Sequence, residues 1–283
     1  MESASVPQSG ARAERKEKEA ASNQGGKEGL FHEFGELFVF SLRALRALPG
    51  SLRYASEIMR LNAIITRRTT LLMFVMAGFL GISLTNFGFF FLRSIGAGDF
   101  AGIVPGLTDT RMVGPQMFAY VFAGSVCCAI AAELGSARIQ QEIDAYEVEG
   151  VDPMEILIGT RVLAVLLYVP LATFVCIAGI FGGGYTIVVV VLHGNSGAQF
   201  TNAFFSIFPI KGIFTMLVTV AILCLQCVLV ACYYGMRNTG GGPDAVGNAV
   251  ARSLAINLVL LHFVLAICSL FFYGGALAVP IGD

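Results

Sequence analysis

The sequence predicts an all-α, polytopic membrane protein: five transmembrane helices, an N-terminal interfacial amphipathic helix, and a cytoplasmic helix between the second and third spans. Three observations predict it. The 283 residues are 56% hydrophobic and only 13% charged, against about 25% charged in soluble domains. The charges are bunched: residues 1–68 hold 19 of the 37, and nine of the remaining 18 fall between Glu133 and Arg161. Between these groups lie five apolar runs, each long enough for the ~20 residues a bilayer core requires.

In chain order, residues 1–29 are Ser, Ala, Gln, Gly, Lys and Glu with almost no large apolar side chain. Too little surface can be buried there to offset ordering entropy, which predicts a disordered cytoplasmic tail. The first long apolar run starts near Thr69, too far along for a secretory signal. Residues 30–68 form the interfacial segment. Leu30, Phe31, Phe34, Leu37, Phe38, Leu42, Leu45 and Leu48 recur at three- and four-residue spacing among Glu33, Glu36, Arg43 and Arg46. This pattern is an amphipathic helix lying in the interface, ended by Pro49-Gly50. A basic stretch, Arg53 to Arg68, leads into the first span.

Residues 69–283 form the span-bearing domain, with spans at about 69–92, 112–132, 156–180, 212–234 and 251–273. The 12 residues from Phe181 to Leu192 are too few for another crossing and read as a helix extension or a re-entrant turn. With the amino terminus inside, the inner segments carry 15 Lys and Arg and the outer ones three, Arg93, Arg111 and Lys211. The positive-inside rule then puts the carboxyl terminus on the outer side of the membrane.

Chemistry of the usual enzymatic kinds is not legible. Gly25-Gly26-Lys27 lacks the rest of a phosphate-binding loop, and neither HExxH nor GxSxG occurs. His32, His193 and His262 fall in three separate compartments. Seven cysteines all lie within spans, so they do not form a disulfide framework. Cys224 and Cys227 make a CxxC without a second ligand pair, which reads as helix packing rather than a metal site. A net charge of −1 gives no basic surface for nucleic acid. His262 lies mid-span near Asn257. It is either satisfied by a hydroxyl or carbonyl of a neighbouring helix, or has a substrate or proton role.

The charged island is the informative segment. From Ala132 to Glu149 there is no Pro and one Gly, Gly135. Ile139, Ile143 and Tyr146 make one apolar stripe bounded by Glu142, Asp144, Glu147 and Glu149, which predicts a short amphipathic helix. Gly150 terminates it, and Asp152-Pro153-Met154-Glu155 restarts a helix with Asp as N-cap, Pro first and Glu third. Two readings stay open: a solvated charged face, or a docking helix for a cytoplasmic protein, steered by a net charge of minus five and anchored by Tyr146 with Ile143.

The run Ala132-Glu133-Leu134-Gly135-Ser136-Ala137-Arg138, followed by Gln141-Glu142-Ile143-Asp144-Ala145-Tyr146-Glu147-Val148-Glu149-Gly150-Val151-Asp152-Pro153, closely resembles the signature of the MlaE/YrbE permeases. Further agreement lies in Arg161-Val162-Leu163-Ala164, Pro170-Leu171, Gly179-Ile180-Phe181-Gly182-Gly183, Gly235, Gly240-Gly241-Gly242 and Val246-Gly247. The long charged tail and the Gly-Gly-Gly-Pro-Asp run are most like actinobacterial (mycobacterial) YrbE proteins. Tyr146 and Glu149 depart from the hydrophobic residues common at those positions in the family.

The resemblance implies the permease subunit of an ATP-driven lipid transporter, itself no enzyme. It implies a second YrbE-type permease as heterodimer partner, an Mce-associated ABC ATPase dimer that binds ATP and Mg, an MCE-domain ring and a lipid substrate. This chain would hold no cofactor. By the same resemblance residues 133–150 are the coupling helix. Glu133, Gly135 and Arg138 would open it, Glu142, Ile143, Asp144, Ala145, Tyr146 and Glu149 would meet the ATPase, and Gly150, Asp152 and Pro153 would set the exit into the third span. Phe87, Phe89, Phe90 and Phe91 suggest aromatic surface for a lipid, or an interfacial belt, and His262 a polar point in the same path. Gly182 to Gly184 allow either flexing or close helix packing. The rival reading is a non-transporting membrane scaffold whose acidic helix recruits a cytoplasmic partner.

Overall fold

The structure, a computed structural model, describes residues 32–208, 210–237 and 242–273. The tail predicted to be disordered, residues 1–29, lies outside the described residues. The chain divides into two units, residues 1–43 and 44–283. In the first, residues 32–43 are helical, with Phe38, Val39 and Leu42 exposed and Ser41 Oγ donating to the Leu37 carbonyl at 2.7 Å.

The second unit opens with helical residues 44–51 and a 3-10 turn, Leu52–Tyr54. The predicted stop at Pro49-Gly50 is therefore displaced to Ser51, whose Oγ bonds back to the Ala47 carbonyl at 3.0 Å. A 3-10 turn, Gly98–Phe100, and seven longer helical elements follow. They are α1, Ala55–Ser94; α2, built from Pro105–Val113, Gly114–Phe122, Ala123–Cys127 and Cys128–Ile139; α3, Glu142–Val148; α4, Met154–Val191; α5, Gly197–Ile207; α6, Ile210–Met236; and α7, Gly242–Tyr273. Stretches of five helices, including α1, α2, α4, α6 and α7, are long and apolar enough to cross a membrane. Among the described residues there is no strand. The chain is an all-α polytopic membrane protein.

Several elements overrun their predicted spans. The basic stretch Arg53–Arg68 and the first span mostly share one 40-residue helix, α1. At 1.5 Å per residue α1 is about 60 Å long, roughly twice the bilayer core. Its charged first turns therefore project beyond the apolar layer. Residues 181–191 extend α4 as helix, ending in a π-helical stretch Thr186–Val191.

Small residues set how closely the spans approach. A Cβ on Gly183 would fall on the Gly78 carbonyl oxygen, and one on Gly81 would fall on the Ile180 carbonyl. These glycines let α1 and α4 meet backbone to backbone, the usual solution where no hydrophobic effect drives helices together. Gly182, between them, faces open space. Gly235 does the same for α6, against Ala131 and Leu134 of α2. Phe118 and Phe122 of α2 stack at 5.8 Å. Buried Asn257 accepts from Gln226 at 2.9 Å and donates to the Cys227 carbonyl at 3.2 Å, joining α7 to α6. All seven cysteines are free thiols.

At the end of α4 remote from α3, α5 covers the bundle. Its N-terminus is a capping box: Gln199 N donates to Ser196 Oγ at 3.2 Å and Ser196 N to Gln199 Oε1 at 3.0 Å. Phe200 and Phe204 are buried under it, with Phe204 edge-on to Phe181 at 5.0 Å.

Candidate coupling site at one end of the bundle

The site lies where α2 leaves the apolar layer and α4 enters it. The single helix predicted over Ala132–Glu149 is two helices: α2 stops at Ile139 and α3 starts at Glu142. Gln141 makes the break with φ +59°, a left-handed conformation that costs a non-glycine residue about 1 kcal/mol or more. The arrangement is held by Arg138 Nη1 donating to Asp144 Oδ1 at 2.9 Å across the bend. Gln140 Nε2 also bonds Ser136 Oγ at 2.9 Å. The proposed stripe of Ile139, Ile143 and Tyr146 is thereby split. Ile139 stays partly exposed on α2, while Ile143 is 1% exposed.

That burial reverses one expectation. Ile143 is not available to a partner protein, because it fastens α3 to its own chain. The outward surface of α3 is Glu142, Ala145, Glu147, Val148 and Glu149. Val148 is 88% exposed, more than any other large hydrophobic side chain described. Tyr146 is half-buried and Asp144 is occupied by Arg138.

The exit follows the sequence closely. Gly150 takes φ +74°, and Val151 N closes on the Tyr146 carbonyl at 2.9 Å. These are the contacts of a helix stopped by glycine. Asp152 Oδ1 accepts from Met154 N at 2.8 Å, with Pro153 at the first helical position. The reciprocal half expected of Glu155 is not made. Its carboxylate instead meets Arg53 Nη2 at 2.5 Å.

Sequence reasoning missed this second clamp. Arg53 Nε also donates to the Gly50 carbonyl at 2.9 Å. A Cβ on Gly50 would collide with the Glu155 carboxylate, and one on Gly159 with Ser51 Oγ. The corner at Pro49–Tyr54 is thus seated on the first turns of α4, which are π-helical from Met154 to Gly159. Pro49-Gly50 signalled a helix end, and no local signal pointed to residues 100 positions away.

Around this joint, Arg161 Nη2 faces Glu133 Oε2 at 3.4 Å and Arg161 Nη1 donates to the Leu157 carbonyl at 2.7 Å. Arg60 grips Glu57 with two nitrogens at 2.8 and 2.6 Å. The Arg60 hydrogen bond holds the Glu57 carboxyl below its ordinary value against a smaller opposing effect of burial. Gly135 is buried beside Leu134. Of the nine island charges, Glu133, Arg138, Asp144, Glu155 and Arg161 are spent on ion pairs within the chain.

The aromatic candidates separate. Phe89 is buried, whereas Phe87, Phe90 and Phe91 project from the chain. His262 meets a hydroxyl of a neighbouring helix, that of Tyr120 at 2.6 Å, and also the Leu258 carbonyl of its own helix at 2.6 Å, yet it is exposed. Among the described residues no group of three or more His, Cys, Asp or Glu side chains gathers as metal ligands would.

The family model of Permease MlaE matches residues 58–271, from α1 to the last turns of α7. The chain belongs to the MlaE permease family. The match takes in α3 and its ion pairs but begins after the Pro49–Tyr54 corner. A probable ABC transporter permease protein of Rickettsia felis is 31% identical over 157 residues, 55% of this chain and 59% of the relative. One from Rickettsia bellii is 26% identical over 234 residues, 82% of this chain and 89% of the relative. The intermembrane phospholipid transport system permease protein MlaE of Haemophilus influenzae is 31% identical over 116 residues, 40% of this chain and 44% of the relative. The alignment with the Rickettsia felis relative thus spans about three-fifths of its length.

Proposed function

We propose that this MlaE-family chain is the membrane permease subunit of an ATP-driven lipid transporter and that α3 is the element its ATPase grips. The observation that carries the reading is the construction of α3. It is bent out of the bundle at a left-handed Gln141, pinned inward by Ile143 and Arg138–Asp144, and turns Val148 outward among Glu142, Glu147 and Glu149. An apolar side chain exposed within an acidic rim, outside the spans, has the make-up of an interface anchor with steering charges. Family membership and the relatives named as ABC transporter permeases support the same assignment.

ATP and Mg would then be bound by the partner ATPase and not by this chain. Nucleotide-driven movement of α3 would reach α4 through Gly150–Pro153 and reach the Pro49–Tyr54 corner through Arg53–Glu155. A second YrbE-type permease would complete the membrane pore, with an MCE-domain ring on the outer side receiving or delivering lipid. The 15-to-3 division of Lys and Arg supports a cytoplasmic amino terminus, an outer carboxyl terminus and residence in the bacterial inner membrane.

The test is co-purification with the ATPase. Val148→Asp should weaken ATPase retention about tenfold or more, and Glu142→Lys with Glu149→Lys should lower it further, with membrane insertion unchanged. If both variants hold the ATPase at normal affinity, α3 is not the coupling element.

A further inference from the structure

At the end of the bundle that bears α3, the Pro49–Tyr54 corner and α1 run beside α4 in a fixed register. Arg53 meets Glu155, and Asn62 Nδ2 on α1 donates to the Ala164 carbonyl at 2.9 Å. The partners are 102 residues apart in both contacts, so α1 and α4 lie parallel here. Between the two contacts stand Glu57 on α1 and Arg161 on α4. A third helix reaches the same place, because Glu133 of α2 has its Oε2 3.4 Å from Arg161 Nη2.

Arg161 is the most buried of the arginines in the described ion pairs, with its side chain 13% exposed. Its donors are only partly used. Nη1 bonds the Leu157 carbonyl of its own helix at 2.7 Å, the contact to Glu133 is long, and Nε is buried without a hydrogen-bond partner. Arg60, by contrast, is well exposed and holds both oxygens of Glu57. Burying a guanidinium costs free energy unless its donors are matched, so a loosely matched one points to function rather than stability.

Glu57 is the second carboxylate within reach of this charge. The Arg60 hydrogen bond is the main cause that lowers the Glu57 carboxyl, and the charge of Arg161 adds to it. Glu57 in turn is the main cause that raises Arg60, and Glu133 adds to that. Four charges from three helices therefore form one group. The planar fork of an arginine can serve two carboxylates at once, which the point charge of a lysine does less well.

We propose that Arg161 is a positioning residue for transport, its guanidinium shared between Glu133 of α2 and Glu57 of α1 so that α1 follows α2 when α3 is moved. The inference rests on the permease reading and adds to it a route by which motion at α3 reaches the first span through α2.

The experiment uses the full-length chain in its native complex, in nanodiscs, with spin labels on unnatural residues at Met59 of α1 and Ile139 of α2, both exposed. A non-hydrolysable ATP analogue should leave the distance between the labels within about 1 Å in the unaltered complex, because the two helices move together. In Arg161→Gln the same analogue should change it by about 2 Å or more, the size of a helix shift. Glu57→Gln should behave like Arg161→Gln, whereas Arg60→Gln, which leaves Glu57 to Arg161, should behave like the unaltered chain. A merely structural arginine would lower the unfolding temperature without making the distance respond to nucleotide. Should Arg161→Gln fail to insert, Glu57→Gln and Glu133→Gln, with side chains 35% and 54% exposed, make the same test. A distance that ignores nucleotide in the Arg161 and Glu57 variants overturns the proposal. So does one that already responds in the unaltered complex, or an Arg60→Gln that acts like Glu57→Gln. The ATPase should be retained by every variant, since the outward surface of α3 is untouched. Its absence from the unaltered complex would overturn the permease reading, and this inference with it.

Discussion

Gly182 and Gly183 are neighbours with opposite duties. A Cβ on Gly183 would fall on the Gly78 carbonyl, whereas Gly182 faces open space. Gly183→Ala should cost about 1–3 kcal/mol by forcing α1 and α4 apart, while Gly182→Ala should be neutral or gain up to about 1 kcal/mol from helix propensity. Unfolding temperatures of the purified chain in detergent check both, and equal effects would show that the seam is not as tight as described. A run of three glycines told of close packing or flexing, but only the neighbouring helix shows which glycine is needed. The same limit applied to Ile143 and Val148. Both are apolar residues in an acidic helix, and the direction each takes is set by the bend at Gln141 and by Arg138–Asp144, neither of which has a periodic signature.

At the scale of elements, the Arg53–Glu155 contact ties the Pro49–Tyr54 corner to the start of α4, which under the proposed coupling role would make that corner move with α4. The pair is partly exposed, with side-chain exposures of 63% and 20%, so its contribution to stability is about 1 kcal/mol or less. Arg53→Glu or Glu155→Arg alone should leave folding and ATPase retention intact while lowering transport severalfold per ATP hydrolysed, and the double exchange should restore it. Measured ratios of lipid moved to ATP consumed would decide this; unchanged ratios in the single variants would make the contact merely structural. Helix α5 shows what a sequence can still yield. Ser196-x-x-Gln199 ahead of Phe200, Phe204 and Ile207 is a capping box before an apolar stripe, and that pattern was available without any structure. The Arg53–Glu155 clamp was not, because it joins residues 102 positions apart.

For the whole molecule, the five spans and the charged excursion between the second and third were legible because bilayer thickness and the cost of buried charge act on composition alone. The ends of the helices were less so. Nothing in hydropathy announces that α1 begins ahead of its span at Ala55, or that α4 continues to Val191, since both extensions are decided by contacts with other elements. What unites the molecule in this account is a path from α3, through the clamped start of α4, along the glycine seam with α1. Such a path has a purpose only if something pulls on α3. Isolation of the native assembly from its own membranes, with every subunit and bound lipid identified by mass spectrometry, tests that most directly. An ABC ATPase in stoichiometric amount, a second permease, an MCE-domain protein and a bound lipid are the expected result. Recovery of the chain alone, or with a cytoplasmic partner that hydrolyses no ATP, would contradict it.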